Sequence, residues 1–258
     1  IVYYVYAYAQ LLKKKQIESG EKINVVVPTG NFGNILAAFY AKQMGLPIHR
    51  LICASNENKV LYDFFRSGTY DKNREFVLTS SPSMDILISS NLERLIYLIA
   101  GNDSGKNKEL MDLLSGNGSY TITDSMREKL TDFYGNYAGE EETAQSIRSL
   151  FDRTGYVIDP HTGVARCVYE KYRKETKDGT KTVIVSTASP YKFTRSVMNA
   201  IDSKDHREED FALADMLSQR SGVRLPMAVE EIRTAPILHT RVCEKNEMKQ
   251  TVREILGL

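Results

Sequence analysis

The chain has no tryptophan, only three cysteines and seven prolines, and each shortage narrows what it can be. Cys53, Cys167 and Cys243 stand far apart in the sequence. An odd, scattered count is not a disulfide framework, and it has no zinc-site spacing. The three read as small buried hydrophobes in a reducing compartment, expected to be the cytoplasm. Charge of one sign is also missing: 34 Lys and Arg oppose 33 Asp and Glu, a net charge of +1. A nucleic-acid binder normally carries a basic surplus, so no nucleic-acid partner is expected. Long hydrophobic runs are absent as well. The most apolar opening, residues 1–12, holds four tyrosines and a glutamine, too short and too polar to span a bilayer. It lacks the basic start and small-residue cleavage site of a signal peptide, so no membrane partner is expected. Internal repeats, heptads and low-complexity segments do not occur either.

What is present is a globular composition. The 258 residues are 42% hydrophobic and 26% charged, enough for one or two domains with a self-sufficient core. Val2, Val5, Tyr6 and Ala9 follow helical spacing from the first residue, and the chain opens without Met. The expectation is a piece of something longer.

Residues 23–27 form a β-branched run that reads as a buried strand. A turn cluster over 28–34 and an apolar helix over 35–44, stopped by Gly45 and Pro47, lead to a second buried strand at 48–54. Such a βαβ unit implies a parallel sheet. Helices are predicted at 60–65, 85–100, from the Thr123 cap to about 134, 143–153, 162–173, 191–200, 211–220 and 244–256. A third clear strand lies at 182–186, a short strand or extended entry at 155–159, a loop at 102–108, and a solvated charge run at 203–210. Alternating strands and helices give an α/β fold, an open, mostly parallel sheet flanked by helices. The expected division is a large α/β domain over 1–205, incomplete at its N-terminal side, and a helical extension over 206–258 packed on it.

The informative stretch is Val25-Val26-Val27-Pro28-Thr29-Gly30-Asn31-Phe32-Gly33-Asn34. A strand ends, a loop with two glycines follows, and a helix begins. Unpaired N–H groups and the helix dipole favour an anion there. Gly30 and Gly33 remove Cβ atoms that would keep a phosphate from the backbone. Thr29, Asn31 and Asn34 offer side-chain donors. No Gly-Lys-Ser/Thr follows, so this is not a Walker loop, and the glycine spacing is not the dinucleotide fingerprint. From spacing alone, a phosphate cradle and a plain strand–turn–helix corner both fit.

Pro28-Thr29-Gly30-Asn31-Phe32-Gly33-Asn34 closely resembles the phosphate loop of the threonine synthases, pyridoxal-phosphate enzymes of the tryptophan-synthase-β type. The resemblance continues through Ala54-Ser55-Asn56-Glu57-Asn58, Ser81-Pro82-Ser83-Met84-Asp85-Ile86 and Ser89-Ser90-Asn91-Leu92-Glu93-Arg94. It ends with Asp159-Pro160-His161-Thr162-Gly163 and Ser186-Thr187-Ala188-Ser189-Pro190-Tyr191-Lys192-Phe193. The order matches too, and the likeness covers nearly the whole chain up to about residue 200.

The resemblance implies the tryptophan-synthase-β-like fold, here incomplete. It places the cofactor phosphate on the amides of Gly30, Asn31, Phe32, Gly33 and Asn34. It gives the pyridine nitrogen to the hydroxyl of Thr187, with Ser186 the weaker candidate; otherwise Thr187 is a strand residue satisfying its own turn. A neutral hydroxyl does not force that nitrogen to be protonated, as an Asp would. Asn91 and Arg94, one helical turn apart, face the substrate phosphate or form a solvated helix face. His161 is a cleft residue or, the better reading, part of a helix cap with Thr162. Lys192 lies outside the Schiff-base site, in a structural or electrostatic role. Ser189 stands where the family often has His, so no proton or phosphate role carries over there.

The family's Schiff-base lysine lies in a Ser-Phe-Lys-Asp segment before the glycine loop, and no such segment precedes it here. Ser203-Lys204-Asp205 is a decoy within the charge run. No catalytic residue and no metal site is therefore assigned to this chain, which alone is expected to be inactive. The implied parent is a cytoplasmic, phosphate-eliminating lyase of threonine biosynthesis. Its cofactor would be pyridoxal 5'-phosphate and its small-molecule substrate O-phospho-L-homoserine, converted with water to L-threonine and phosphate. Two alternatives stand beside it: a serine/threonine dehydratase or cysteine synthase of the same cofactor group, or a non-catalytic anion-binding module. Self-association of the fragment through exposed apolar surface is a further expectation.

Overall fold

The computed structural model describes residues 1–258. In chain order it forms α1 (Val2–Lys13), β1 (Ile23–Pro28), α2 (Gly33–Gln43), β2 (Ile48–Ser55), α3 (Val60–Ser67), β3 (Thr69–Asp71), α4 (Leu92–Ile99) and α5 (Ser104–Gly116). There follow β4 (Ser119–Thr121), α6 (Asp124–Glu128), β5 (Phe133–Tyr137), α7 (Glu140–Thr154), α8 (Pro160–Thr176), β6 (Thr182–Ile184), α9 (Thr194–Asp202), α10 (Asp210–Ser221), α11 (Met227–Ile232) and α12 (Met248–Leu256). Four strands make one parallel sheet in the order β5-β2-β1-β6, and β3 pairs antiparallel with β4.

The sheet is buried on both faces, as a parallel sheet fed by helical crossovers must be. Successive strand residues point to opposite sides. Val25 and Val27 of β1 with Leu51 and Cys53 of β2 join the core made with α2, α3 and α4. Val26, Ile52 and Ala54 join a second core under α8, against Val164, Ala165, Val168 and Tyr172. This two-sided burial explains the apolar runs at 25–27 in β1 and 51–54 in β2.

The expected α/β fold and parallel pairing of β1 with β2 are observed, and several local expectations change. The helix expected at 85–100 starts only at Leu92, because the Asp85 carboxylate is drawn into a loop by Thr79, Asn56 and Asn58. The loop expected at 102–108 is the start of α5, capped where Asp103 accepts from the Lys106 N–H. Thr123 does cap a helix, yet it ends at Glu128, and the residues beyond become edge strand β5. There Phe133 packs on Phe39 and stacks on Phe65. Residues 155–159 form no strand.

The apolar stripe expected on α1 is not the one that packs: Tyr4 and Tyr8 are buried, while Val2, Val5, Tyr6 and Ala9 are exposed. Within the supposedly solvated run 203–210, His206 is buried, its ring nitrogens 3.0 Å from Asp202 and 3.2 Å from Glu208. Two compact units emerge, Ile1–Val223 and Arg224–Leu258, so α10 groups with the sheet and not with the segment set apart from position 206. In the smaller unit, Arg241 pairs with Glu254 of α12 at 3.2 Å.

Candidate functional site

β1 delivers the chain to the glycine loop at the carboxyl end of the sheet, where ligand crevices of open α/β sheets lie. The first turn of α2 carries the N–H groups of Gly33, Asn34 and Ile35. The first helical bond is made only by Leu36, to the Phe32 carbonyl at 3.0 Å. No side chain caps this end. Asn31, Gly33 and Asn34 are exposed, whereas the Phe32 ring is buried against Phe65 and Phe133. Phe32 has φ +63°, a left-handed conformation that costs a non-glycine residue on the order of 1–2 kcal/mol. Burying the ring, worth about 1.5–3 kcal/mol, offsets that cost and fixes the turn.

The carbonyls of the loop are held away from this N–H face. Ser89 Oγ donates to the Gly30 carbonyl at 2.7 Å. The Asn91 backbone N–H and side-chain Nδ2 donate to the Asn31 carbonyl at 3.1 and 2.8 Å. Arg94 in turn donates to Asn91 Oδ1 at 2.9 Å, leaving the rest of its exposed guanidinium unpaired. Tyr4 Oη donates to Asn34 Oδ1 at 2.6 Å, which leaves the Asn34 amide nitrogen as the free donor. Burial pushes the Tyr4 phenol far up, so it remains a donor at any ordinary pH. One expected donor is turned inward: the Thr29 hydroxyl donates to the Val27 carbonyl at 2.7 Å and faces no ligand.

Gly30 and Gly33 serve different needs. A Cβ on Gly30 would lie 2.5 Å from the Ser83 carbonyl oxygen, so this glycine lets two backbone segments touch. A Cβ on Gly33 would meet only the Asn91 amide, at 3.3 Å. The Gly33 position is the open one.

Ser186 and Thr187 follow β6, the neighbour of β1 in the sheet. Val26 and Ile184 are register partners, and the Val185 N–H donates to the Val26 carbonyl at 2.9 Å. The loops after β1 and β6 therefore leave adjacent strands at the same end. Thr187 is exposed and its hydroxyl makes no hydrogen bond within the chain. Ser186 Oγ lies 3.3 Å from Thr162 Oγ1, whose own proton goes to Asp159.

His161 is not an open cleft residue. The α8 cap is Asp159, which accepts from the N–H groups of His161 and Thr162 and from the Thr162 hydroxyl. His161 Nδ1 lies 2.9 Å from Asp159 Oδ1, and Nε2 accepts from the Ser83 N–H at 3.2 Å. With Nε2 accepting from the Ser83 N–H, Nδ1 is the ring nitrogen that faces Asp159 as a donor. Burial raises the Asp159 pKa, and hydrogen bonds from His161 and Thr162 outweigh it to hold the carboxyl below its usual range. His161 thus ties the start of α8 to Ser83, whose carbonyl lies against Gly30.

Lys192 is exposed, its amine 5.7 Å from the Phe193 ring centroid, and Ser189 caps the following turn. Lys204 lies on an exposed turn, as a solvated decoy should. Tyr4, Ser83 and Ser89 carry the geometry without having been assigned a role from sequence. All three lay inside or beside the segments singled out, but their roles depend on backbone partners that spacing does not show.

Residues 162–235 match the family model "Threonine synthase, C-terminal". Human threonine synthase-like 1 is 43% identical over 211 residues, covering 81% of this chain and 28% of the human protein. Threonine synthase of Saccharomyces cerevisiae is 37% identical over 216 residues, covering 78% of this chain and 41% of its own length. Among solved structures, yeast threonine synthase superposes with a TM-score of 0.83 at 31% identity, covering 99% of this chain and 51% of that one. Pyridoxal-phosphate-bound threonine synthase from Brucella melitensis gives a TM-score of 0.72 at 36% identity, covering 85% of this chain and 45% of that one. The chain spans about half or less of the length of these relatives.

Proposed function

We propose that this chain, homologous along most of its length to part of the threonine synthases, supplies the phosphate-holding part of an enzyme that converts O-phospho-L-homoserine and water to L-threonine and phosphate. The observation that carries this reading is the loop's polarity. Its carbonyls are tied to Ser89 and Asn91, its N–H groups are left free at the start of α2, and an unpaired hydroxyl at Thr187 follows the adjacent strand.

Pyridoxal phosphate fits these residues: a dianionic phosphate suits uncapped N–H groups over an open glycine, and a ring nitrogen suits the Thr187 hydroxyl. When bound, that cofactor would supply an electron sink that makes the hydrogen on the amino-bearing carbon, and then those on its neighbour, acidic. The amides from Gly30 to Asn34 hold the phosphate, and the Asn34 side chain, aimed by Tyr4, adds a donor. Thr187 hydrogen-bonds the ring nitrogen without adding charge. Arg94, steadied by Asn91, offers its remaining N–H groups to the leaving phosphate of the substrate. No lysine here is assigned the proton transfers, so this chain alone does not turn over.

Assay of the full-length protein tests this. With O-phospho-L-homoserine it releases inorganic phosphate and threonine, and the isolated chain releases neither. Deamination of serine without phosphate release from O-phospho-L-homoserine would overturn the proposal.

A further inference from the structure

A cavity of about 250 Å³ opens between the β3–β4 ribbon and helices α4 and α5. Its volume is below the roughly 300–1,000 Å³ of drug-sized sites, which suits a ligand of a few heavy atoms. Its accessible wall mixes apolar Ile88, Met111 and Leu114 with polar Ser90 and Ser115. Beneath it Tyr70 and Tyr120, 1% and 4% exposed, stack with ring centroids 5.5 Å apart at 6°.

Two opposite charges stand at this cavity. Lys72 is half-buried and forms no ion pair. Glu93 is touched only by the Asn107 amide at 3.4 Å. The two do not pair with each other. Separate single charges of each sign beside an apolar slot complement one chemistry, a zwitterion with an apolar tail. We infer that this cavity binds a free α-amino acid with an aliphatic side chain of leucine or methionine size. Its carboxylate would meet Lys72, its ammonium Glu93, and its side chain Ile88, Met111 and Leu114 above the tyrosine pair.

The cavity is wired to the glycine loop. Tyr70 Oη accepts from the Ser89 N–H at 2.7 Å and donates to the Leu87 carbonyl at 3.1 Å, while Ser89 Oγ holds the Gly30 carbonyl. A ligand against Tyr70 therefore presses on the residue that orients the loop. This coupling rests on the phosphate-cradle reading; the amino-acid site does not.

Isothermal titration of the chain with L-leucine and L-methionine tests the site directly, with near-ultraviolet circular dichroism of the tyrosine pair as a second signal. Saturable binding in the millimolar range or tighter is expected. N-acetyl-L-leucine and L-leucinamide, each lacking one charge, bind about tenfold more weakly or worse. Lys72→Gln, a half-buried change that spares the fold, weakens leucine by a similar factor. Glu93→Gln abolishes the difference between leucine and N-acetyl-leucine. No saturable heat, equal binding of the derivatives, or unchanged leucine affinity in Lys72→Gln would overturn the site. For the coupling, leucine shifts pyridoxal-phosphate affinity about fivefold or more, and Ser89→Ala removes that shift while leucine still binds. Leucine binding with no such shift would overturn the coupling and leave the site standing.

Discussion

Replacing Gly30 by alanine sets a methyl group 2.5 Å from the Ser83 carbonyl oxygen and 3.2 Å from the Met84 Cα. Both are backbone atoms, so neither can swing aside as a side chain would. The Ser83 segment cannot retreat freely either. Its N–H is tied to His161, Met84 is buried, and the Met84 N–H donates to the Ser81 carbonyl at 2.9 Å. Overpacking of this kind costs about 1–3 kcal/mol. For a unit of this size that is a fall in melting temperature of about 2–12 °C. Gly33→Ala meets only the flexible Asn91 amide at 3.3 Å. It sits in the first turn of α2, where alanine is favoured over glycine, so its stability changes by about 0.5 kcal/mol or less. Thermal and urea unfolding of the two variants beside the parent chain measures the contrast. A Gly30→Ala chain as stable as the parent, or a Gly33→Ala chain that is the less stable of the two, would refute the assignment of Gly30 to backbone contact and Gly33 to the open cradle.

Other expectations follow from single residues. Tyr4→Phe releases Asn34 Oδ1, which costs about 1 kcal/mol of stability and weakens pyridoxal-phosphate binding several-fold by equilibrium dialysis; unchanged binding contradicts the orienting role. Asp159 has its folded pKa held below the unfolded value near 4, so its contribution is full above about pH 4 and fades as pH falls. Urea midpoints measured against pH should therefore drop on the acid side, and Asp159→Asn should flatten that limb; parallel curves would contradict this. Burial pushes the Cys53 thiol up to about 12, so in the native chain it resists thiol reagents at pH 8 and reacts on unfolding. Rapid native labelling of Cys53, located by peptide mapping, would count against the buried β2 register.

The βαβ unit was legible because β1 and β2 are buried on both faces, which leaves apolar runs at 25–27 and 51–54 on either side of the glycine loop and helix. β5 was not, since Phe-Tyr-Gly-Asn-Tyr at 133–137 has neither a long apolar run nor clean alternation. It becomes a strand only because β2 offers an edge and Phe39 and Phe65 offer a place for Phe133. The α4 boundary failed for the opposite reason. Ile86 and Leu87 continue a helical pattern, and a half-buried carboxylate, Asp85, overrides it with loop hydrogen bonds. The glycine loop could be placed from sequence, whereas its polarity could not. Which carbonyls Ser89 and Asn91 hold, and that Thr29 turns inward, depend on partners about 60 residues away or on a backbone turn that spacing leaves open.

The most direct test of the phosphate cradle is the pyridoxal-phosphate content of the full-length protein purified with and without Gly33→Asp. Gly33 is exposed at the start of α2, where an acidic side chain suits the helix dipole, so the variant folds. Its carboxylate, set where the phosphate would sit, should repel that group. The account predicts near-stoichiometric cofactor in the parent and loss of cofactor in Gly33→Asp at an unchanged unfolding midpoint. Equal cofactor content in the two proteins would contradict it.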